Sequence, residues 1–140
     1  MAKILIIDDD PMLVQDMKLF LEEVSGHQVE TAPSGEEGIK KVGDIKPDLI
    51  LLDLMLPGID GFDVAREIRK NQETQKIPIL MLSGVKSEMN IMGLDFEKQA
   101  GAGDWLPIND YIDKPISLDI MNSKIDHLLS KTKKSQKISK

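Results

Sequence analysis

Three stretches of this chain are apolar without a break: Ile4-Leu5-Ile6-Ile7, Leu49-Ile50-Leu51-Leu52 and Ile77-Pro78-Ile79-Leu80-Met81-Leu82. A strand with one wet face alternates between apolar and polar residues. A short run with no alternation suits a strand buried on both faces, as in a parallel sheet between two layers of helices. Each run also stops on polar residues: Asp8-Asp9-Asp10, Asp53, and Ser83-Gly84. In an open α/β sheet, ligands and chemistry sit beyond the carboxyl ends of the strands, so these residues stand where reacting groups would stand. Pro78 belongs at the start of its strand, where a missing N–H does least harm.

Helical patterns separate the runs. Pro11 opens the first helix, with the acids before it favoured by the helix dipole. Leu13, Met17, Phe20, Leu21 and Val24 share one face, and Gly26 ends it. Val29-Glu30-Thr31 reads as a short mixed strand. Ser34 with Glu37 has the form of a capping box, opening a helix through Ile39 and Val42 to about Gly43. Val64, Ala65 and Ile68 mark a third helix ending near Asn71. Asp110 to Asp113 reads as a more polar last strand, and Ser117 opens a final helix burying Leu118, Met121, Ile125 and Leu128. The three apolar strands are central and the two mixed ones are edges. An order 2-1-3-4-5 satisfies this, and right-handed crossovers then put helices on both faces of a doubly wound five-stranded parallel sheet.

Composition narrows the function. At 140 residues the chain makes one domain, with no cysteine for disulfides, thiol chemistry or thiolate metal sites. His27 and His127 lack metal-pair spacing and read as surface residues. Met1-Ala2-Lys3 runs straight into a strand, and no apolar run reaches membrane-spanning length, so a soluble cytoplasmic protein without a membrane partner is expected. Five lysines fall in residues 131–140; without them 13 basic residues face 24 acidic ones, a balance of −11. So acidic a body repels nucleic acid. The lysine-rich stretch 131–140 is expected to be a disordered tail on a domain spanning 1–130.

With strand order 2-1-3-4-5, Asp8, Asp9, Asp53, Ser83 and Lys114 converge on one rim. Three carboxylates that repel call for a cation, and an oxygen-only set without His or Cys favours a hard one, Mg²⁺ fitting best. A lysine and a hydroxyl beside them are what a phosphoryl group attached to a carboxylate would need.

These motifs, Ile-Leu-Ile-Ile-Asp8-Asp9-Asp10-Pro11, Asp53-Leu-Met-Leu-Pro57-Gly58-Ile-Asp60-Gly61, Ser83-Gly84 and Asp113-Lys114-Pro115, resemble those of the receiver domain of two-component response regulators over about residues 2–130. The resemblance is to the stand-alone, chemotaxis-regulator-like kind with a flavodoxin-like fold. It implies that Asp53 accepts a phosphoryl group from a sensor histidine kinase or a histidine phosphotransfer protein. It implies that Asp9, Asp53 and the Met55 carbonyl ligate Mg²⁺, with Asp8 acting mainly through water. Ser83 and Lys114 would contact the phosphoryl oxygens, Lys114-Pro115 would be a cis peptide, and Tyr111 would be the switch aromatic. The output would be contact with a downstream protein, and the only chemistry would be the domain's own phosphorylation and dephosphorylation.

One departure from that family lies between Ser83 and Lys114, where the segment is long, with an insertion expected around 101–109; a second is that no effector domain follows, as expected either of a stand-alone receiver or of one piece of a longer protein. Met89, Met92 and Phe96 suggest a helix there, interrupted by Gly93. Apolar residues including Trp105 suggest a partner-binding face rather than a packed flap. Other classes fit less well. A haloacid-dehalogenase-like phosphatase needs a second Asp two residues after the nucleophile, where Met55 stands; an electron carrier of flavodoxin type needs a phosphate loop in place of Asp8-Asp9-Asp10-Pro11. A degenerate receiver used only for binding would not keep all five site residues.

Overall fold

The two residue parities within each buried run serve two different helix layers. In the computed structural model, which describes residues 2–82 and 107–138 with side chains as far as Lys131, five parallel strands pair in the order β2-β1-β3-β4-β5. They are β1 (Lys3–Ile7), β2 (Gln28–Ala32), β3 (Leu49–Asp53), β4 (Ile79–Leu82) and β5 (Asp110–Ile112). Four helices lie among the described residues: α1 (Pro11–Glu23), α2 (Gly35–Ile45), α3 (Gly61–Lys70) and α4 (Leu118–Ile138). Leu5, Ile7, Ile50, Leu52, Ile79 and Met81 face α2 and α3 in one core. Ile4, Ile6, Leu49, Leu51, Leu80 and Leu82 face α1 and α4 in the other. Both faces are covered, which is why the central strands need no polar side. Ser83, Trp105 and the expected helix over Met89–Phe96 lie outside the described residues. None of the described helices is long and apolar enough to cross a membrane.

Several boundaries differ from the sequence expectation for local reasons. α2 passes through Gly43 and ends at Ile45, because Lys46, not a glycine, takes the left-handed capping position with φ 46°. β4 begins two residues after Ile77. Pro78 brings no N–H, although its carbonyl still accepts the Ile50 N–H at 3.0 Å. α4 runs to Ile138, so the stretch expected to be a disordered tail is helical that far. Lysine and glutamine are good helix formers, and basic residues suit a helix C-terminus. His27 is half-buried rather than on the surface, its Nδ1 accepting the Ala2 N–H at 3.1 Å.

The return of the chain to β5 is fastened by one side chain. Arg69, near the end of α3, donates to the Ile77 carbonyl at 2.7 Å, the Pro107 carbonyl at 3.1 Å and Asn109 Oδ1 at 2.9 Å. Asn109 completes the join, its N–H donating to the Ile79 carbonyl at 2.9 Å while its Oδ1 accepts the Ile79 N–H at 2.8 Å. Ile108 between them packs against the core. Pro107–Asn109, the end of the expected insertion, is thus tied to the start of β4 and fixes where β5 begins. Replacing Arg69 by Ala should lower stability in urea by roughly 1.5–3 kcal/mol, the range for hydrogen bonds to a charged group. Arg69→Lys should recover less than half of that, since one ammonium cannot span three separated acceptors. Wild-type stability in Arg69→Lys would rule the clamp out.

Candidate functional site

The register of the central strands puts the acidic residues level with one another. Ile7 pairs with Leu52, so Asp8, one residue on, stands beside Asp53 at the carboxyl end of β3. Both continue the parity of Ile4, Ile6, Leu49 and Leu51 and turn toward the α1–α4 side. Lys114, two residues past Ile112 of β5, shares that parity. Asp8 and Asp53 are almost fully buried, at 2% and 3% exposure, whereas Asp9 is exposed. One oxygen from each of the three carboxylates lies within 4.8 Å of the others.

The two buried carboxylates are held from the backbone. Asp8 Oδ1 accepts the Asp10 N–H at 2.9 Å, and Asp10 in turn caps α1 by accepting from Met12 and Leu13. Asp53 Oδ1 accepts the Met55 N–H at 3.3 Å, while Met55's own side chain points outward at 61% exposure. The loop after β3 is pulled tight by Gly61, whose N–H donates to the Leu54 carbonyl at 2.8 Å. A Cβ on Gly61 would lie 2.5 Å from the Asp53 carbonyl oxygen. Any other residue there would push the Asp53 backbone away. Gly61 belongs to the quoted motif, but its role cannot be read from the sequence, where it looks like an ordinary helix-start glycine.

The cation of the cluster is Lys114, carried on a loop whose Lys114–Pro115 peptide is cis. Its Nζ lies 3.5 Å from Asp53 Oδ2 and 3.6 Å from Asp8 Oδ2. Both distances exceed a direct charge-assisted hydrogen bond, so the ammonium is shared and closes on neither. Asp8 Oδ2 is buried and accepts no hydrogen bond. Tyr111 is half-buried on β5, packed against the α2–α3 core rather than within the cluster. Ser83 follows Leu82, whose register partner is Asp53, but lies outside the described residues.

Burial and mutual repulsion disfavour charge here. Asp53 is raised from the ordinary carboxylate range to about 6, first by burial and then by the Asp8 charge, with Lys114 and the Met55 N–H opposing. Asp8 is also raised, first by burial, with the Asp10 N–H and Lys114 opposing and the Asp9 charge adding to it. The donor set, carboxylate oxygens with a buried oxygen that no hydrogen bond satisfies, fits a hard divalent cation.

A raised carboxyl pKa means the folded state binds its proton more tightly than the unfolded chain. The stability that protonated Asp53 allows is therefore fully present below its ordinary value of 3.8 and is lost as pH rises from there through its folded value of about 6. In EDTA, Asp53→Asn should stabilise the protein at about pH 7.5 by roughly 1–3 kcal/mol, and by much less at about pH 4. Thermal melts at the two values check this; the same gain at both would mean that Asp53 is not strained by its charge.

The comparisons agree with this geometry. The model of the response regulator receiver domain matches residues 4–126. The transcriptional regulatory protein AfsQ1 of Streptomyces coelicolor is 38% identical over 130 residues, covering 92% of this chain and 52% of its own. Protein PilH of Pseudomonas aeruginosa is 32% identical over 130 residues, covering 93% of this chain and 99% of its own. Among solved structures, a putative response regulator from Chloroflexus aurantiacus superposes with a TM-score of 0.76 at 30% identity, over 92% of this chain and 98% of that one. The chain spans about half the length of the transcriptional regulators it matches and nearly all of PilH. With its family match, its relatives and its 2-1-3-4-5 parallel sheet in agreement, the chain belongs to the response regulator receiver domains.

Proposed function

We propose that Asp53 is the phosphoacceptor of this receiver, and that the observation carrying this is the lysine-bridged pair of buried carboxylates at the end of β1 and β3. Its Oδ2 lies 3.5 Å from Lys114 Nζ, and its raised pKa of about 6 still leaves it ionised at neutral pH. An ionised oxygen of Asp53 attacks the phosphorus of a phosphohistidine on a sensor kinase or a phosphotransfer protein. The P–O bond forms as the P–N bond breaks, and the imidazole leaves with the electron pair and picks up a proton. Attack of water at the phosphorus of the resulting acyl phosphate breaks the new P–O bond, releases inorganic phosphate and restores the carboxylate, so the domain's only chemistry is its own phosphorylation and dephosphorylation.

Asp9, Asp53 and the Met55 carbonyl would hold Mg²⁺, with Asp8 acting through a water. The ion would supply positive charge against the phosphoryl oxygens. Lys114 is placed to pair with the added charge, and Ser83 is assigned the same task by its position after Leu82. Tyr111 would change place in response, and the altered face would meet a downstream protein in the cytoplasm. A phosphoryl group can shift this equilibrium only through contacts that differ between the two states, and Lys114 and Ser83 are the groups able to provide them.

Two measurements test the reading. With acetyl phosphate and Mg²⁺, wild-type protein should gain one acid-labile phosphoryl group, and Asp53→Asn should gain none while remaining folded. Full modification of Asp53→Asn, read by intact mass, would remove Asp53 from the role. Asp9 is exposed, so Asp9→Asn should leave the fold intact and weaken Mg²⁺ binding by roughly 1–3 kcal/mol, as for a lost charged contact. A Mg²⁺ titration that matches wild type would take Asp9 out of the site.

A further inference from the structure

Around Tyr111 the sheet edge carries a small arrangement of charges that the phosphoryl chemistry does not use. Asp110, the first residue of β5, accepts the Tyr111 N–H on Oδ1 at 2.8 Å. Its other oxygen, Oδ2, lies 3.1 Å from Nζ of Lys124, which reaches round the edge of the sheet from α4. The same ammonium stands 5.7 Å from the centroid of the Tyr111 ring. That is within the range in which a cation is attracted to a ring face. One carboxylate and one ammonium thus hold Tyr111 by its backbone and by its ring.

Neither charge is well solvated. The side chains of Lys124 and Asp110 are 33% and 29% exposed, so salt and water screen the pair only in part. The ring itself has two environments within reach. On one side it packs against the apolar core of α2 and α3. On the other it lines an open pocket with Pro115, Ile120 and Lys124. A ring between such neighbours rests where its polar contacts bias it.

We propose that Lys124 is a positioning residue that biases the Tyr111 ring toward its half-exposed place and so sets how strongly charge added at Asp53 must pull before the ring moves. This rests on reading Tyr111 as the switch residue. Moving the ring away from Lys124 gives up the cation–ring attraction, which at partly exposed sites corresponds to about a two- to fivefold change in equilibrium. The carboxylate of Asp110 keeps the ammonium in place, so Lys124 stays beside the ring rather than swinging into solvent. Arginine would preserve both contacts, being cationic and able to lie on an aromatic face.

Tyr111 is the only tyrosine in the chain, so incorporating fluorotyrosine gives one fluorine NMR signal, from this ring alone. Beryllofluoride with Mg²⁺ serves as the probe, standing in for the phosphoryl group, and its binding is read from its own fluorine resonance. In Lys124→Gln the resting signal should lie closer to the position that wild type reaches with beryllofluoride, and the half-response concentration should fall about two- to fivefold. Lys124→Arg should stay near wild type, and Lys131→Gln, an exposed lysine on the same helix, should change nothing. If the wild-type ring responds but Lys124→Gln keeps the same resting signal and midpoint, the bias by Lys124 is overturned and the switch reading stands. If beryllofluoride binds and the wild-type ring signal does not move, the switch reading falls and the role of Lys124 falls with it.

Discussion

Two buried carboxylates side by side are the constraint around which this domain is arranged. Asp8 and Asp53 end neighbouring strands in register, both nearly inaccessible to water, and both have their pKa raised by burial. Such a pair costs folding free energy at neutral pH unless positive charge is brought to it. In the described structure that charge is Lys114, and at 3.5 and 3.6 Å it compensates both acids in part and neither fully. The remaining repulsion is what a bound cation would relieve. The surrounding fold therefore has to supply stability elsewhere.

It does so with the two apolar cores on either side of the sheet, and with backbone ties that keep the acids from moving apart. The strands enclosing the site expose almost nothing: every side chain of Leu49–Leu52 and Ile79–Leu82 is fully buried. Asp10, by capping α1 while donating its N–H to Asp8, makes the start of that helix part of the site. Gly61 lets α3 begin against the Asp53 backbone. A relaxed version of either loop would let the carboxylates separate into water. The site would then lose the burial that raises Asp53.

Much of this was legible from the chain, because the pattern of burial on a parallel sheet is local. An unbroken apolar run followed by an acid reports both a central strand and what stands at its end, and this sufficed for Asp8, Asp53 and the strand order. Lys114 was legible through its place after the last strand. The Arg69 clamp was not. An arginine in the last turn of a helix looks like a solvated complement to the helix dipole, and its acceptor on Pro107 lies 38 residues away. The end of α2 was misread at Gly43 because the left-handed cap falls on a lysine, a choice that glycine preference does not anticipate. Lys124 reads in the sequence as one more polar residue on an amphipathic helix. Only the fold brings it round the edge of β5 to the ring of Tyr111.

The distances at Lys114 also bear on how the phosphorylation proposed at Asp53 would travel. An ammonium already locked onto one carboxylate at full hydrogen-bond contact would give up that bond in order to follow charge placed elsewhere. Lys114 is held almost equally by two acids and closely by neither, so the difference to be overcome when charge builds on Asp53 is small. Lys114 is joined to β5 by Asp113 alone, and Tyr111 lies within that strand. Any shift of the lysine therefore acts on the short edge strand whose other end is tied by Asn109 to the start of β4. A strand of three residues, fixed at its start and pulled at its end, has few ways to respond. On the proposed reading, moving the side chain of Tyr111 between core and pocket is a response that leaves the pairing with β4 intact.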